Sequence, residues 1–258
     1  MPRHCTAERD GHLLTVTIDR PEVLNALNEE ANFELAAVFD GFHADPDLWV
    51  AILTGAGDRA FCSGLDLKSQ AISGTLPKDP PRGFAGLTSR FDCSKPILAA
   101  VNGVAMGGGF EIALACDLII AAEHAVFALP EPRIGFAAMA GGIHRLPRQI
   151  GLKRAMGMLL TGRKVPAEEA RFLGFVNQVV PLRELMGCAR QWADEIMACA
   201  PLSVRASKRC ALEGLEYGSL QEAMEARYEA LDAMTSSGDF IEGPRAFAEK
   251  RTPQWRGA

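Results

Sequence analysis

Residues 99 to 131, AAVNGVAMGGGFEIALACDLIIAAEHAVFALPE, constrain this chain more tightly than any other stretch. An apolar, strand-like run ends in three consecutive glycines, Gly107 to Gly109, and a helix-like segment opens directly after them. Glycine alone adopts sharply turned or closely packed backbone at low cost, so the triplet predicts a tight turn or close approach at a helix start. The predicted helix carries one acidic residue, Glu111, among Phe110, Ile112, Ala113, Leu114, Ala115 and Cys116. An ionised carboxylate in so apolar a segment is costly unless something uses it. Further on, a second carboxylate, Glu131, follows another apolar strand, AVFAL. The combination outlines an acid–base site with an oxyanion trap.

Each part also has a plainer reading. Glu111 suits the first turn of any helix, where the macrodipole favours an acid by about 0.3–1 kcal/mol. Glu131 lies between Pro130 and Pro132, which push its backbone toward extended geometry, and acids in such turns are commonly solvated. The glycines alone would serve a turn. The rest of the chain has to decide between these readings.

With 258 residues, 48% of them hydrophobic and 23% charged, the chain fits one large domain, or one domain with a smaller appendage. A formal net charge of −5 argues against a broad nucleic-acid surface, while leaving room for a local pocket for an anionic group. The seven cysteines are odd in number and contain no C-x-x-C, which fits a reduced, intracellular setting. The five histidines show no metal-ligand spacing, so no metal site is expected. No secretory leader, membrane-length apolar run or peroxisomal address appears, and a cytoplasmic location away from membranes is the expectation.

In chain order, HCTAER, an Asp10-Gly11 turn and LLTVTID predict a hairpin. Asn28 is placed to cap a helix from Glu29 to about Phe42, with Phe33, Leu35, Ala36 and Phe39 as its apolar face. WVAILTG reads as a strand buried on both faces. In the next segment Gly55, Gly57 and Ala60 match the dinucleotide pattern G-x-G-x-x-A. That pattern requires a helix directly afterwards and an acidic strand end about 20 residues on. FCSGLDL and TLPKDPPRG follow instead, which excludes the nucleotide reading. Residues 69 to 94 read as a long irregular loop. KPILAAVNG, DLIIAA, AVFAL and FVNQVV read as strands, and GGIHRLPRQIG, LKRAMGMLLTG and PAEEARFLG as short helices. Beyond about Leu182 the pattern is helical, with LQEAMEARYEALDAMTS as one helix whose Met224, Tyr228, Leu231 and Met234 form a stripe. That stripe serves either an internal core or a partner chain. There is no G-x-S-x-G elbow, and no histidine is placed by sequence to activate Cys62 or Ser63.

Four stretches, RPEVLNALN, GAGDRAFCSGLDLK, residues 99–131 and LTGRKVPAEEARFLGFVNQVV, together with the ending EGPRAFAEKRTPQW, resemble the enoyl-CoA hydratase/isomerase (crotonase) family over nearly the whole chain. The resemblance implies an α/β fold: a spiral of repeated ββα units over residues 1–181, then a helical oligomerisation segment over residues 182–258. It implies a homotrimer or a dimer of trimers. It also implies that the backbone N–H groups of Leu65 and Gly108 hold a thioester oxygen, and that Val23, Ser63, Leu65, Asp66, Leu67 and Gly108 line the acyl-CoA site. Glu111 would activate water for attack at C3 and Glu131 would exchange the proton at C2. Family isomerases typically keep only the equivalent of Glu131, so the presence of both favours hydration of a 2-enoyl-CoA to a 3-hydroxyacyl-CoA. No cofactor is implied, because coenzyme A belongs to the substrate. An isomerase, other acyl-CoA chemistry on the same frame, and a non-catalytic CoA-binding protein are the alternatives. Two departures bear on the acyl pocket: Ala138-Met139 stands where many family hydratases have Pro-Gly, and Leu65 stands where alanine is common.

Overall fold

The computed structural model describes residues 4–67 and 78–258. The first two strands, β1 (Cys5–Asp10) and β2 (Leu13–Ile18), pair antiparallel with Asp10 opposite Leu13. Gly11 and His12 form the loop, and Gly11 takes φ +58°, where a side chain is strained. Helix α1 (Glu29–Ala44) then starts where the Asn28 side chain accepts from the Ala31 N–H at 3.0 Å.

A two-strand rhythm follows. The chain runs from β3 (Val50–Gly55) to β4 (Ala60–Cys62), from β5 (Ile97–Val101) to β6 (Val104–Met106), then through helix α2 (Gly108–Ala115). It continues from β7 (Leu118–Ala122) to β8 (Val126–Ala128), with helices α3 (Gly142–Ile150) and α4 (Leu152–Leu159) after them. Strand β9 (Val165–Pro166), helix α5 (Ala167–Leu173) and strand β10 (Gln178–Val180) close this part. One strand of each pair enters a six-stranded sheet ordered β1-β2-β3-β5-β7-β10, and the other enters a four-stranded sheet ordered β4-β6-β8-β9. Mixed α/β structure built from ββα repeats is thus the architecture.

All six residues of β3 are buried, because the larger sheet is covered on both faces. Leu14, Val16, Ala51, Leu53, Ala99 and Ala121 point into the main core with α1 and α2. Their neighbours Leu13, Val50, Ile52, Leu98, Ala100 and Ile120 point the other way, against Leu185, Ala189 and Ala193 of helix α6 (Leu185–Met197). A doubly covered sheet wants apolar residues at every position, which is the pattern of VAILTG. After Gly55 the chain enters a turn and then β4 rather than a helix, so the G-x-G-x-x-A match has no helix to serve.

Two expectations need correction. Phe33 is 43% exposed; the buried face of α1 is Ala31, Asn32, Leu35, Ala36, Phe39 and Phe42. Phe33 lies two positions from Leu35, on nearly the opposite side of a helix with 3.6 residues per turn. The tail segment drawn as one helix is two. After helix α7 (Pro201–Gly214) come α8 (Leu220–Glu225) and α9 (Glu229–Thr235), with Ala226 and Tyr228 extended between them. The Tyr228 ring is buried beside Tyr217, and its hydroxyl donates to the Ala223 carbonyl at 2.7 Å. Burying that ring turns the chain and breaks the stripe, leaving Met224 78% exposed. Helix α10 (Gly238–Glu249) follows. Among the described residues, no helix is long and apolar enough to cross a membrane.

Candidate active site

The site is built at the start of α2. Gly107 adopts φ +53°, ψ −129°, a conformation only glycine holds cheaply, and a Cβ there would sit 3.1 Å from the Glu131 Oε1. The helix it opens is almost wholly buried: Phe110 packs against Phe127 and Phe175 with ring centroids 5.3 and 5.1 Å away. Burying that helix carries Glu111 inside, where it is 3% exposed. Its Oε1 accepts from the Gly142 N–H, the first residue of α3, at 2.8 Å.

Two influences on Glu111 compete. A place in the first turn of a helix favours the carboxylate by about 0.3–1 kcal/mol. Burial opposes it, and burial wins: Glu111 is pushed up from 4.5 to about 7, with the nearby Glu131 charge adding to the rise. The Gly142 and Ala140 N–H groups and Arg145 pull it partly back. Glu131 opens a short 3-10 turn, Glu131–Ile134, directly after β8. Burial raises its proton affinity too, and its Oε2 is buried with no hydrogen-bond partner among the described residues. Two carboxylates of elevated proton affinity therefore sit against one helix start, and one of them has an unused oxygen.

The opposite wall comes from the Leu65 segment. Gly64 takes φ +93°, and a Cβ on it would lie 2.7 Å from the Met106 carbonyl and 3.0 Å from the Gly108 nitrogen. This close approach brings the Leu65 backbone beside the start of α2. Neither the Leu65 nor the Gly108 N–H has an acceptor among the described residues. Leu27 holds the segment in place, its N–H donating to the Gly64 carbonyl at 2.8 Å and its carbonyl accepting from the Asp66 N–H at 2.9 Å. Phe84 packs on Gly108 from the other side, where a Cβ would come within 2.5 Å of the ring.

The structure brings Val23, Ser63, Leu65 and Asp66 together: Ser63 donates from its backbone to Leu24 at 3.1 Å and from its hydroxyl to Val23 at 3.4 Å. The Asp66 carboxylate meets Arg20 at 3.3 Å, both groups largely buried, and this ion pair fastens the RPEVLNALN segment to the SGLD segment. Leu67 stands apart at 45% exposure, and residues 68–77, part of the stretch read from the sequence as irregular, lie outside the described residues. Ala138 is buried against Gly142, whereas Met139 is 66% exposed.

Sequence reading missed the parts that hold these segments. Leu24 and Asn25 both sit at φ +56°, a strained region for side-chain-bearing residues. The fully buried Asn25 side chain secures them, accepting from the Arg20 N–H at 2.9 Å and donating to the Ala60 and Ala56 carbonyls at 2.7 and 3.0 Å. Asn102 does the same after β5, donating to the carbonyls of Gly55 and Gly57 at 2.8 Å. Asparagine directly beside strand-ending or glycine-rich turns was the available signal. Cys62, which lies between these elements, is pushed up to about 12 by burial and stays a thiol, so it is no nucleophile at neutral pH. Among the described residues, no group of three or more His, Cys, Asp or Glu side chains is placed to hold a metal ion.

The sequence profile of the enoyl-CoA hydratase/isomerase family matches residues 8–258. The chain belongs to the enoyl-CoA hydratase/isomerase family. A carnitinyl-CoA dehydratase of Salmonella arizonae is 45% identical over 262 residues, covering 96% of this chain and 97% of its own. One from Proteus mirabilis is 44% identical, with 96% of each covered. The crystal structure of an enoyl-CoA hydratase from Mycobacterium tuberculosis superposes with a TM-score of 0.93 at 38% identity, with both chains fully covered. Membership in this family places the chain among the crotonase-type enoyl-CoA hydratases and isomerases, consistent with an acyl-CoA substrate.

Proposed function

We propose that the chain is a hydro-lyase that adds water across the 2,3 double bond of a 2-enoyl-CoA to give a 3-hydroxyacyl-CoA, and that it runs the reverse dehydration. The observation that carries this reading is the pair Glu111 and Glu131, both buried and both raised in proton affinity, facing a helix start with unused N–H donors. The thioester carbonyl accepts from the Leu65 and Gly108 N–H groups. Glu111, ionised, takes a proton from water as its oxygen bonds to C3. The displaced π electrons run to the thioester oxygen, whose developing charge the two donors stabilise. Glu131, protonated, then delivers its proton to C2, and proton exchange between the two carboxyls resets the pair. Two neighbouring buried carboxyls, both raised in proton affinity, suit that division of labour.

Acid, base and oxyanion donors all come from the chain, so we propose no resident cofactor; coenzyme A enters with the substrate. Val23, Ser63, Asp66 and Leu67 would flank the coenzyme A part, and the Leu65 side chain would shape the acyl pocket. The relatives' name puts carnitinyl-CoA and its dehydration product first among the acyl groups to test. We place the reaction in the cytoplasm, supported by the free thiols of Cys62, Cys93 and Cys116, and away from nucleic acid on account of the net charge of −5. A homotrimer or dimer of trimers would cover the exposed Leu220, Met224, Ile241 and Phe247 of the helical tail.

The deciding measurement is water addition to a 2-enoyl-CoA and bond migration from a 3-enoyl-CoA, for wild type, Glu111→Gln and Glu131→Gln. Each substitution should cost hydration about 10²–10⁴-fold. A wild type that moves the bond without hydrating, with Glu111→Gln silent, would establish an isomerase. A folded protein that binds CoA thioesters and turns over none of them would be a binding module.

A further inference from the structure

The N–H that grips Glu111 belongs to a turn with a second charged group on it. Gly141 takes φ +108°, and a Cβ there would collide with Nη1 of Arg145. On the adjacent residue, a Cβ on Gly142 would come 3.1 Å from the Glu111 Oε1. Carboxylate and guanidinium thus lie within van der Waals reach of one dipeptide, whose Cα atoms are about 3.8 Å apart. The guanidinium also rests over the Phe91 ring, its Cζ 5.6 Å from the centroid.

Arg145 is half-buried in this position, and among the described residues it takes part in no ion pair and no side-chain hydrogen bond. Burial lowers its proton affinity, opposed by Cys116 and Glu111, yet a guanidinium remains charged at any working pH. The groups facing Glu111 are few. Glu131, after β8, pushes it toward the neutral form; the Gly142 and Ala140 N–H dipoles and Arg145 pull it toward the ionised form. Arg145 is the full positive charge in that set. Cys116, at the end of α2, is held as a neutral thiol by burial, and Phe91 and Thr88 contribute no charge.

We propose that Arg145 is a positioning residue for the acid–base pair: held against Gly141 and the Phe91 ring, it is the counter-charge that keeps Glu111 ionised when water is to be activated. An arginine suits the place because its flat, weakly hydrated cation stacks on an aromatic ring without needing a carboxylate partner. The functional half of this inference rests on the hydration reading, in which Glu111 is the base; the electrostatic half does not.

The test therefore uses two readouts. Carbon-13 NMR of labelled glutamate side chains follows the titration of Glu111 in the folded protein, its resonance assigned by loss in Glu111→Gln. The pH profile of kcat/KM for water addition follows its use. In Arg145→Gln the Glu111 titration should move up by about one pH unit. At pH 7 the ionised fraction would then fall from about half to about a tenth, a roughly fivefold loss of kcat/KM that recovers by pH 9. Arg145→Lys should retain most of the wild-type profile, which a purely structural role would not predict. An unchanged Glu111 titration in folded Arg145→Gln overturns the proposal whatever the turnover. A shifted titration in a protein that does not hydrate any enoyl thioester supports the counter-charge and removes the hydration reading instead. Should Arg145→Gln not fold, Phe91→Leu decides: freeing the guanidinium from its ring should shift the titration upward, and an unmoved titration overturns the proposal.

Discussion

Glu111 should make the protein less stable as pH rises, and replacing it should undo that. A carboxyl ionises near 4.5 in the unfolded chain and near 7 in the folded one. Below 4.5 both states hold the proton, and burial of the neutral acid carries no ionic penalty. Between 4.5 and 7 the unfolded state releases the proton while the folded state keeps it, so folding stability falls throughout that window. Above 7 both are ionised and the loss is complete. A rise from 4.5 to about 7 corresponds to about 3 kcal/mol, at roughly 1.36 kcal/mol per pH unit. Glu111→Gln removes the titration and keeps an oxygen to accept from the Gly142 N–H. Its stability relative to wild type should therefore grow by about 3 kcal/mol between pH 4 and pH 8. The difference between two pH values cancels the amide's own packing and hydrogen-bond terms. Urea unfolding across that range, at one fixed protein concentration so that any assembly contributes equally, reads the effect. Parallel stability curves for the two proteins would refute the reasoning, since Glu111 would then ionise as readily inside as outside. A gain of this size accompanied by lost turnover marks a group that serves chemistry at the expense of stability.

Gly108→Pro removes one of the two N–H donors and should slow turnover at least a hundredfold, about 2.7–4 kcal/mol of transition-state stabilisation. Because a side chain at 108 also meets the Phe84 ring, the same change combined with Phe84→Ala should fold normally and still fail to recover, as turnover assays and circular dichroism would show. Near-normal rates in either folded variant would remove Gly108 from the oxyanion site. Sedimentation at micromolar protein should give a trimer or hexamer, because Leu220, Met224, Ile241 and Phe247 leave large apolar side chains outside; a clean monomer would contradict that.

What the sequence by itself determined is local. The Asp-Gly hairpin, the Asn28 cap and the glycine break before α2 each depend on backbone preferences or on partners a few residues away. Glu111 and Glu131 stood out for the same reason, as charged residues in apolar runs. Tertiary structure decided the rest. Leu35 rather than Phe33 faces inward because the sheet and the 84–86 turn choose which side of α1 to cover. The tail helix breaks where Tyr228 finds a pocket beside Tyr217, overriding good local helix propensity. The proton affinity of Glu111 is the clearest case: its hydrogen-bond donor Gly142 lies 31 residues on, and its electrostatic neighbours Glu131 and Arg145 arrive on separate elements. Burial and charge are sums over everything nearby in space, and short-range sequence patterns do not carry that sum.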